Sequence, residues 1–265
     1  MKQFLFLILL STNVLAAPNV VVSIKPIHSI VSNLTQGVTM PELLLKNQQS
    51  AHHFHLRPSQ LSLINHADLI ISLHPKFESG LEKALGNINA DKQIIINSDI
   101  AHNEHSWLNI ERMNSLSDEI VKKLIKIDPN NADIYQKNLR LMHQQLTQLK
   151  ENNLKKFSAY RNTQITVFST ALMPLLSTNH LKNPIIVTKT HDDRLSIYKI
   201  RKAKRAMQIQ KSQCLLSTIE ISKKRIKTLT EGLNMHTASI DIIGFDQNYF
   251  QLMNAISNQV VQCLK

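Results

Sequence analysis

The sequence predicts an α/β protein of two lobes, each a mostly parallel sheet flanked by helices, joined by one long rigid helix. Three observations carry this reading. Short β-rich runs alternate with helix-length segments through residues 20–96 and again through 164–243, which is the pattern of β-α units on a parallel sheet. Between the two sets, residues 130–157 contain no Gly or Pro. Composition, 43% hydrophobic and 19% charged over 265 residues, allows a buried core in one large domain or two small ones.

Taken in order, the chain opens with a short charged start, Met1-Lys2-Gln3, an apolar run over residues 4–10, and a close in small residues, Val14-Leu15-Ala16-Ala17. This is the pattern of a secretory signal peptide over residues 1–17, cleaved after Ala16 or Ala17, with an uncleaved N-terminal anchor as the alternative. Its apolar run is too short to span a bilayer, and no later segment is long and apolar enough for a membrane helix. The mature protein is therefore expected to be exported. A first lobe, residues 18–128, is expected to hold strands at 20–24, 42–45, 67–73 and 93–96. The linking segment, 129–157, places Ile134, Leu139, Leu141, Leu146, Leu149 and Leu154 at helical spacing, a helix of roughly 40 Å at 1.5 Å per residue. Such a helix crossing between lobes resists hinge closure; a helix packed within one domain is the alternative. A second lobe, 158–265, is expected to hold strands at 164–168, 184–187, 214–217 and 238–243.

There are two cysteines, Cys214 and Cys263. In an oxidising compartment such a pair is most simply a disulfide, worth roughly 4 kcal/mol on the chain-entropy model, with two free buried thiols as the alternative. Neither sits in a Cys-x-x-Cys pair, which argues against a thiolate zinc site. The formal charge is +12. Much of it lies between residues 199 and 227, where Lys199, Arg201, Lys202, Lys204, Arg205, Lys211, Lys223, Lys224, Arg225 and Lys227 crowd two expected helices. Aromatics for base stacking are scarce there, and an exported protein does not meet nucleic acid, so no nucleic-acid partner is expected. A solvated basic surface suited to anionic membrane lipids is the simpler reading.

The chemistry concentrates in Ser50-Ala51-His52-His53-Phe54-His55-Leu56-Arg57-Pro58-Ser59-Gln60. Three imidazoles within four positions precede a Pro-Ser pair that can start a helix, a loop able to hold a divalent metal; accidental histidines on a solvated loop are the alternative. Ligands in α/β proteins bind beyond the carboxyl ends of strands. His52 follows the second expected strand, His105 follows the fourth, and Asp241 sits at the end of Ala238-Ser239-Ile240.

Further stretches resemble one family. They are Val22-Ser23-Ile24-Lys25-Pro26-Ile27-His28-Ser29, Leu43-Leu44, Ser50-Ala51-His52, Leu56-Arg57-Pro58-Ser59, Asn65-His66-Ala67-Asp68-Leu69-Ile70, His105-Ser106-Trp107-Leu108, and the positions of Cys214 and Cys263. Over essentially the whole mature chain, the sequence resembles the periplasmic binding proteins of high-affinity zinc uptake systems, within the metal-binding (cluster A-I) solute-binding proteins of ABC importers. The resemblance implies two α/β lobes joined by one long helix. It also implies a monomer in the periplasm that takes zinc as transported cargo and delivers it to an ABC permease in the inner membrane, with no enzymatic activity.

Carried over residue by residue, the family's ligands fall on His52, His105 and Asp241. The proline that usually follows the carboxylate is Ile242 here. The family's third histidine falls on Ser169, in Phe168-Ser169-Thr170-Ala171-Leu172, and a neutral hydroxyl is a poor zinc ligand. Water, or one of His53, His55, His102 and His191, is left to complete the sphere. The family's long acidic, histidine-rich loop is reduced to residues 99–104, and its Glu-Pro-Gln-Phe-type stretch is replaced by Thr218-Ile219-Glu220-Ile221. A carrier of manganese or iron, and a diverged homologue that acts as an exported interaction protein, are the alternatives. A metal-dependent hydrolase would use three ligands and a water, but only Glu104 stands out as a general base.

Overall fold

The structure, a computed structural model, describes residues 16–46, 51–52, 54–74, 77–96, 105–190 and 193–265. The expected signal segment through residue 15, together with His53, His102, Glu104 and His191, lies outside the described residues.

Among the described residues eight strands form two four-stranded sheets, and every strand pair is parallel. In the first, β1 (Val20–Val22), β2 (Glu42–Leu43), β3 (Leu69–Ser72) and β4 (Gln93–Ile95) lie in the order β2-β1-β3-β4. In the second, β5 (Ile165–Val167), β6 (Ile185–Ile186), β7 (Cys214–Thr218) and β8 (His236–Ile240) lie in the order β6-β5-β7-β8. The two lobes thus repeat one topology. Central strands β1, β3, β5 and β7 are buried along their whole length, which explains why they are mostly apolar and show no polar alternation.

The helices are α1 (Lys25–Leu34), α2 (Pro58–Asn65), α3 (Glu82–Leu85), α4 (Ile110–Ile127), α5 (Ala132–Phe157), α6 (Met173–Thr178), α7 (Ile197–Ile209), α8 (Lys223–Thr230) and α9 (Tyr249–Cys263). Side chains cap the three starts nearest the functional segments. Asn109 accepts from the Arg112 N–H, Ser196 from the Lys199 N–H, and Asn248 and Gln251 close a reciprocal box.

α5 is the expected long helix. It packs against α1, α4 and α9, so it touches helices on both sides of the molecule. Its buried stripe is Tyr135, Met142, Leu146, Leu149, Asn153 and Phe157. Ile134 and Leu141, which spacing had assigned to that stripe, are exposed; Tyr135, Met142 and Phe157 hold the inner line instead. One hydrophobic cluster runs continuously from β1 and α1 through α4 and α5 to α9. A core shared between lobes is stiff, because moving one lobe would open packed surface. Cys214 and Cys263 form a disulfide from β7 to the end of α9.

β8 differs from its expected span, beginning at His236 and ending at Ile240. Asp241 stops it: Oδ1 accepts from the N–H groups of Ile243 (2.8 Å) and Gly244 (3.1 Å), turning the chain out of the sheet. Gly244 has φ +58°, and an added Cβ would sit 2.8 Å from Leu252 Cδ1, so glycine is required there.

Candidate functional site

Parallel strands aim their carboxyl ends at one edge of each sheet, and loops from those ends of both lobes enclose a cavity of about 190 Å³. The first lobe lines it with Ala51, His52, Phe77, His105 and Trp107. The second lines it with Thr218, Ile219, Glu220, Asp241, Ile242, Ile243 and Phe245. His52, His105 and Asp241, singled out from the sequence, are brought to this one cavity.

The imidazole wall is built from three loops. Gln60 fixes the first: its side chain accepts from the Arg57 N–H (2.8 Å) and donates to the Leu44 carbonyl (2.7 Å), tying the exit of β2 to the start of α2 and setting where His52 falls. The second loop, after β3, presents Phe77. Its ring lies 4.1 Å from the His52 ring and meets His105 edge-on at 5.4 Å, centroid to centroid. The Ser79 hydroxyl donates to the His52 carbonyl at 3.0 Å. A Cβ at Gly80 would lie 2.5 Å from the Phe54 carbonyl oxygen, so only glycine lets these loops approach so closely.

The third loop carries His105 and Trp107, whose rings are 5.1 Å apart. Trp107 Nε1–H donates across the molecule to the Ile242 carbonyl at 2.8 Å, and the Tyr249 hydroxyl donates to the Trp107 carbonyl at 2.9 Å. The indole therefore binds the residue next to Asp241 and joins the walls. It uses a carbonyl that proline also has, so the departure at Ile242 leaves this link intact.

Beneath Phe77, Glu78 is fully buried. Burial pushes its carboxyl up to about 7, against the opposing pull of Ser23 and the Leu73 and His74 N–H groups. Oε2 accepts from the Leu73 N–H at 2.7 Å, whereas Oε1 and the nearby Ser23 hydroxyl make no well-directed hydrogen bond among the described residues.

The His52 and His105 ring centroids are 6.0 Å apart. Two imidazoles on one tetrahedral ion place their centroids about 5 Å apart, so this pair stands about an ångström from chelating geometry. Among the described residues no group of three His, Cys, Asp or Glu side chains is gathered closely enough to hold an ion. The carboxylates line the opposite wall. Asp241 commits Oδ1 to its turn, leaving Oδ2 for a ligand. Thr218, 3% exposed, has a hydroxyl with no hydrogen-bond partner among the described residues.

Ser169, at the family's third-histidine position, is 6% exposed and does not line the cavity. His55 is exposed and does not line it either. His28 is turned away, with Nε2 hydrogen-bonded to the Pro41 carbonyl at 2.9 Å. Sequence reasoning missed Glu220, Thr218 and Phe77 as lining residues. Glu220 lies two positions after β7, as Asp241 lies just after β8, so testing every strand end for a polar side chain would have found it.

Two imidazoles facing carboxylates across a partly open cavity between two lobes fit a metal-binding substrate-binding protein, the class of the family whose sequence pattern the chain matches. The chain belongs to the family "Zinc-uptake complex component A periplasmic" (ZnuA), which matches residues 20–263. Its proteins are substrate-binding proteins, not enzymes. Among relatives, the high-affinity zinc uptake system protein ZnuA of Brucella abortus (strain 2308) is 23% identical, over 92% of this chain and 91% of its own. Two solved structures share the fold. A crystal structure of ZnuA aligns with TM-score 0.81 at 16% identity, covering 94% of this chain and all of that one. A manganese-bound mutant of a periplasmic metal binding protein from Candidatus Liberibacter asiaticus aligns with TM-score 0.83 at 18% identity, with the same coverage.

Proposed function

We propose that this protein captures zinc in the cavity between its lobes and delivers it to an ABC-type permease, acting after export to the periplasm as a monomer. Two imidazoles from one lobe facing two carboxylates from the other, around a cavity sized for an ion and its nearest waters, carry this reading. His52 and His105 supply the nitrogen donors. Asp241 supplies an oxygen donor through Oδ2, and Glu220 a second that takes over from the histidine lost at Ser169. Capture draws the imidazoles together by about an ångström and brings the carboxylates in by side-chain rotation, with no hinge motion of the shared core.

Manganese is the second reading, and the carboxylate wall favours it. Carboxylate, carbonyl and water suit the harder ion, while imidazole suits zinc. The manganese-bound neighbour adds to it, and the family adds to zinc.

Competition titration of the mature chain with zinc and manganese against a chelator at neutral pH separates these readings. The proposal expects one-to-one zinc binding, tighter than manganese. Preference for manganese would replace the cargo, and uptake of neither would leave a diverged homologue without transport.

A further inference from the structure

We propose that the outer face of α7 and α8 docks on the anionic headgroups of a phospholipid bilayer. Residues 194–230 contain eleven Lys or Arg against a single carboxylate, Glu220, so about four-fifths of the chain's net charge of +12 resides in this segment. The two helices cover one face of the second sheet. α7 turns Ala203 and Met207 inward with Ile200, against Leu229 of α8.

The opposite stripe of α7, at spacing i, i+4, i+7 and i+11, is Tyr198, Lys202, Arg205 and Ile209, flanked by Ile197 and Arg201. All six are exposed. Tyr198 is 73% exposed, Ile197 70% and Ile209 69%. Solvent-facing aliphatic and aromatic side chains thus stand about 17 Å apart at the two ends of one exposed face, with cations between them. They are the pattern of a helix lying in a membrane interface, where Tyr and Ile enter the headgroup boundary and Lys and Arg meet phosphate.

The inward-leaning cations are otherwise engaged. Lys199 pairs with Asp193 at 3.6 Å, and Lys204 donates to the Glu231 carbonyl at 2.7 Å. Arg201, Lys202 and Arg205 make no ion pair among the described residues. A flat helical face offers no recess for a specific protein side chain, which favours a lipid surface over an acidic protein. Because α7 is the crossover between parallel strands, it runs against them and its Tyr198 end lies toward the cavity edge of the sheet. Docking therefore holds the cavity edge near the membrane.

Co-sedimentation of the mature chain with vesicles of phosphatidylcholine alone, and of phosphatidylcholine with phosphatidylglycerol, tests this. Binding is expected only with phosphatidylglycerol and is expected to fade as salt screens the charges. Each surface cation counts for about fivefold in partition onto an anionic leaflet, so Arg201→Gln/Lys202→Gln/Arg205→Gln lowers binding about 100-fold. Tyr198→Ser/Ile209→Ser lowers it several-fold without changing charge, and keeps the test alive if the triple variant folds poorly. Metal titration of the same variants should be unchanged, so failure of docking is distinguishable from failure of the carrier reading. No phosphatidylglycerol-dependent binding at low salt would overturn the proposal and turn the face toward an acidic protein. Undiminished binding by folded variants would also overturn it.

Discussion

The two walls of the cavity are made differently. On the first-lobe side, His52, Phe77, His105 and Trp107 form a cluster of tilted and edge-on rings held by loop-to-loop hydrogen bonds, with a buried carboxyl underneath. On the second-lobe side the polar groups are two carboxylates just beyond strand ends and the Thr218 hydroxyl at the end of β7, which has no hydrogen-bond partner among the described residues, with Ser169 outside the cavity. The first wall keeps the residues of its family's pattern; the second keeps Asp241 at the end of β8, has Ser169 where the family has a histidine after β5, and adds Glu220 beyond β7. Affinity should therefore rest on the imidazole wall, and the choice of metal on the carboxylate wall.

The largest effect should come from the imidazoles. His105→Ala, or His52→Ala, is expected to weaken zinc more than 100-fold in chelator competition, exceeding the 10–100-fold typical of a second-shell partner. A loss under tenfold would place the ion elsewhere.

The packing below that wall should show a pH signature. The Glu78 carboxyl is held at about 7 against an ordinary value near 4.5. Its contribution to stability is fully present below about pH 4.5, where both states hold the proton. It is lost as pH rises through 7, a change of about 3 kcal/mol. Glu78→Gln, which can still accept from the Leu73 N–H, should flatten that slope and be more stable than the parent at pH 8 in denaturant unfolding. An unchanged slope would mean that Glu78 is ionised in its pocket.

On the opposite wall, Asp241→Asn keeps a turn acceptor but removes the charge, and should weaken zinc by between about 10- and 100-fold. Glu220→Gln should cost about tenfold and penalise manganese more than zinc. Equal losses for the two metals would remove Glu220 from the selection of cargo. The smallest change is expected at Ser169. Because it lies off the cavity, Ser169→His should alter zinc affinity by less than about threefold, near the noise of a distant substitution. Tightening by tenfold or more would mean that the β5 end still reaches the ion.

Much of this was legible in the sequence. Short β-rich runs marked the strands, most clearly the central ones, because a central parallel strand has no solvent face to record. The missing Gly and Pro marked α5, and strand ends pointed to His52, His105 and Asp241. Other features depend on packing that spacing does not encode. Tyr135 and Met142 displace Ile134 and Leu141 from the inner stripe of α5 because fit among neighbouring helices, not hydrophobicity alone, decides which side faces in. The bond from Trp107 to Ile242 joins residues 135 positions apart through a backbone carbonyl, which leaves no trace in residue type. Glu220 stands in a stretch whose family pattern is gone, so resemblance could not assign it.

X-ray absorption at the zinc edge of the one-to-one complex reads the donor set itself, because each bound imidazole leaves a multiple-scattering signature and sulfur a longer, heavier shell. The two-wall site predicts two imidazole nitrogens and two carboxylate oxygens at about 2.0–2.2 Å, with no sulfur. Three or more imidazoles around the ion would contradict it, because a histidine outside the cavity would then have replaced the carboxylate wall.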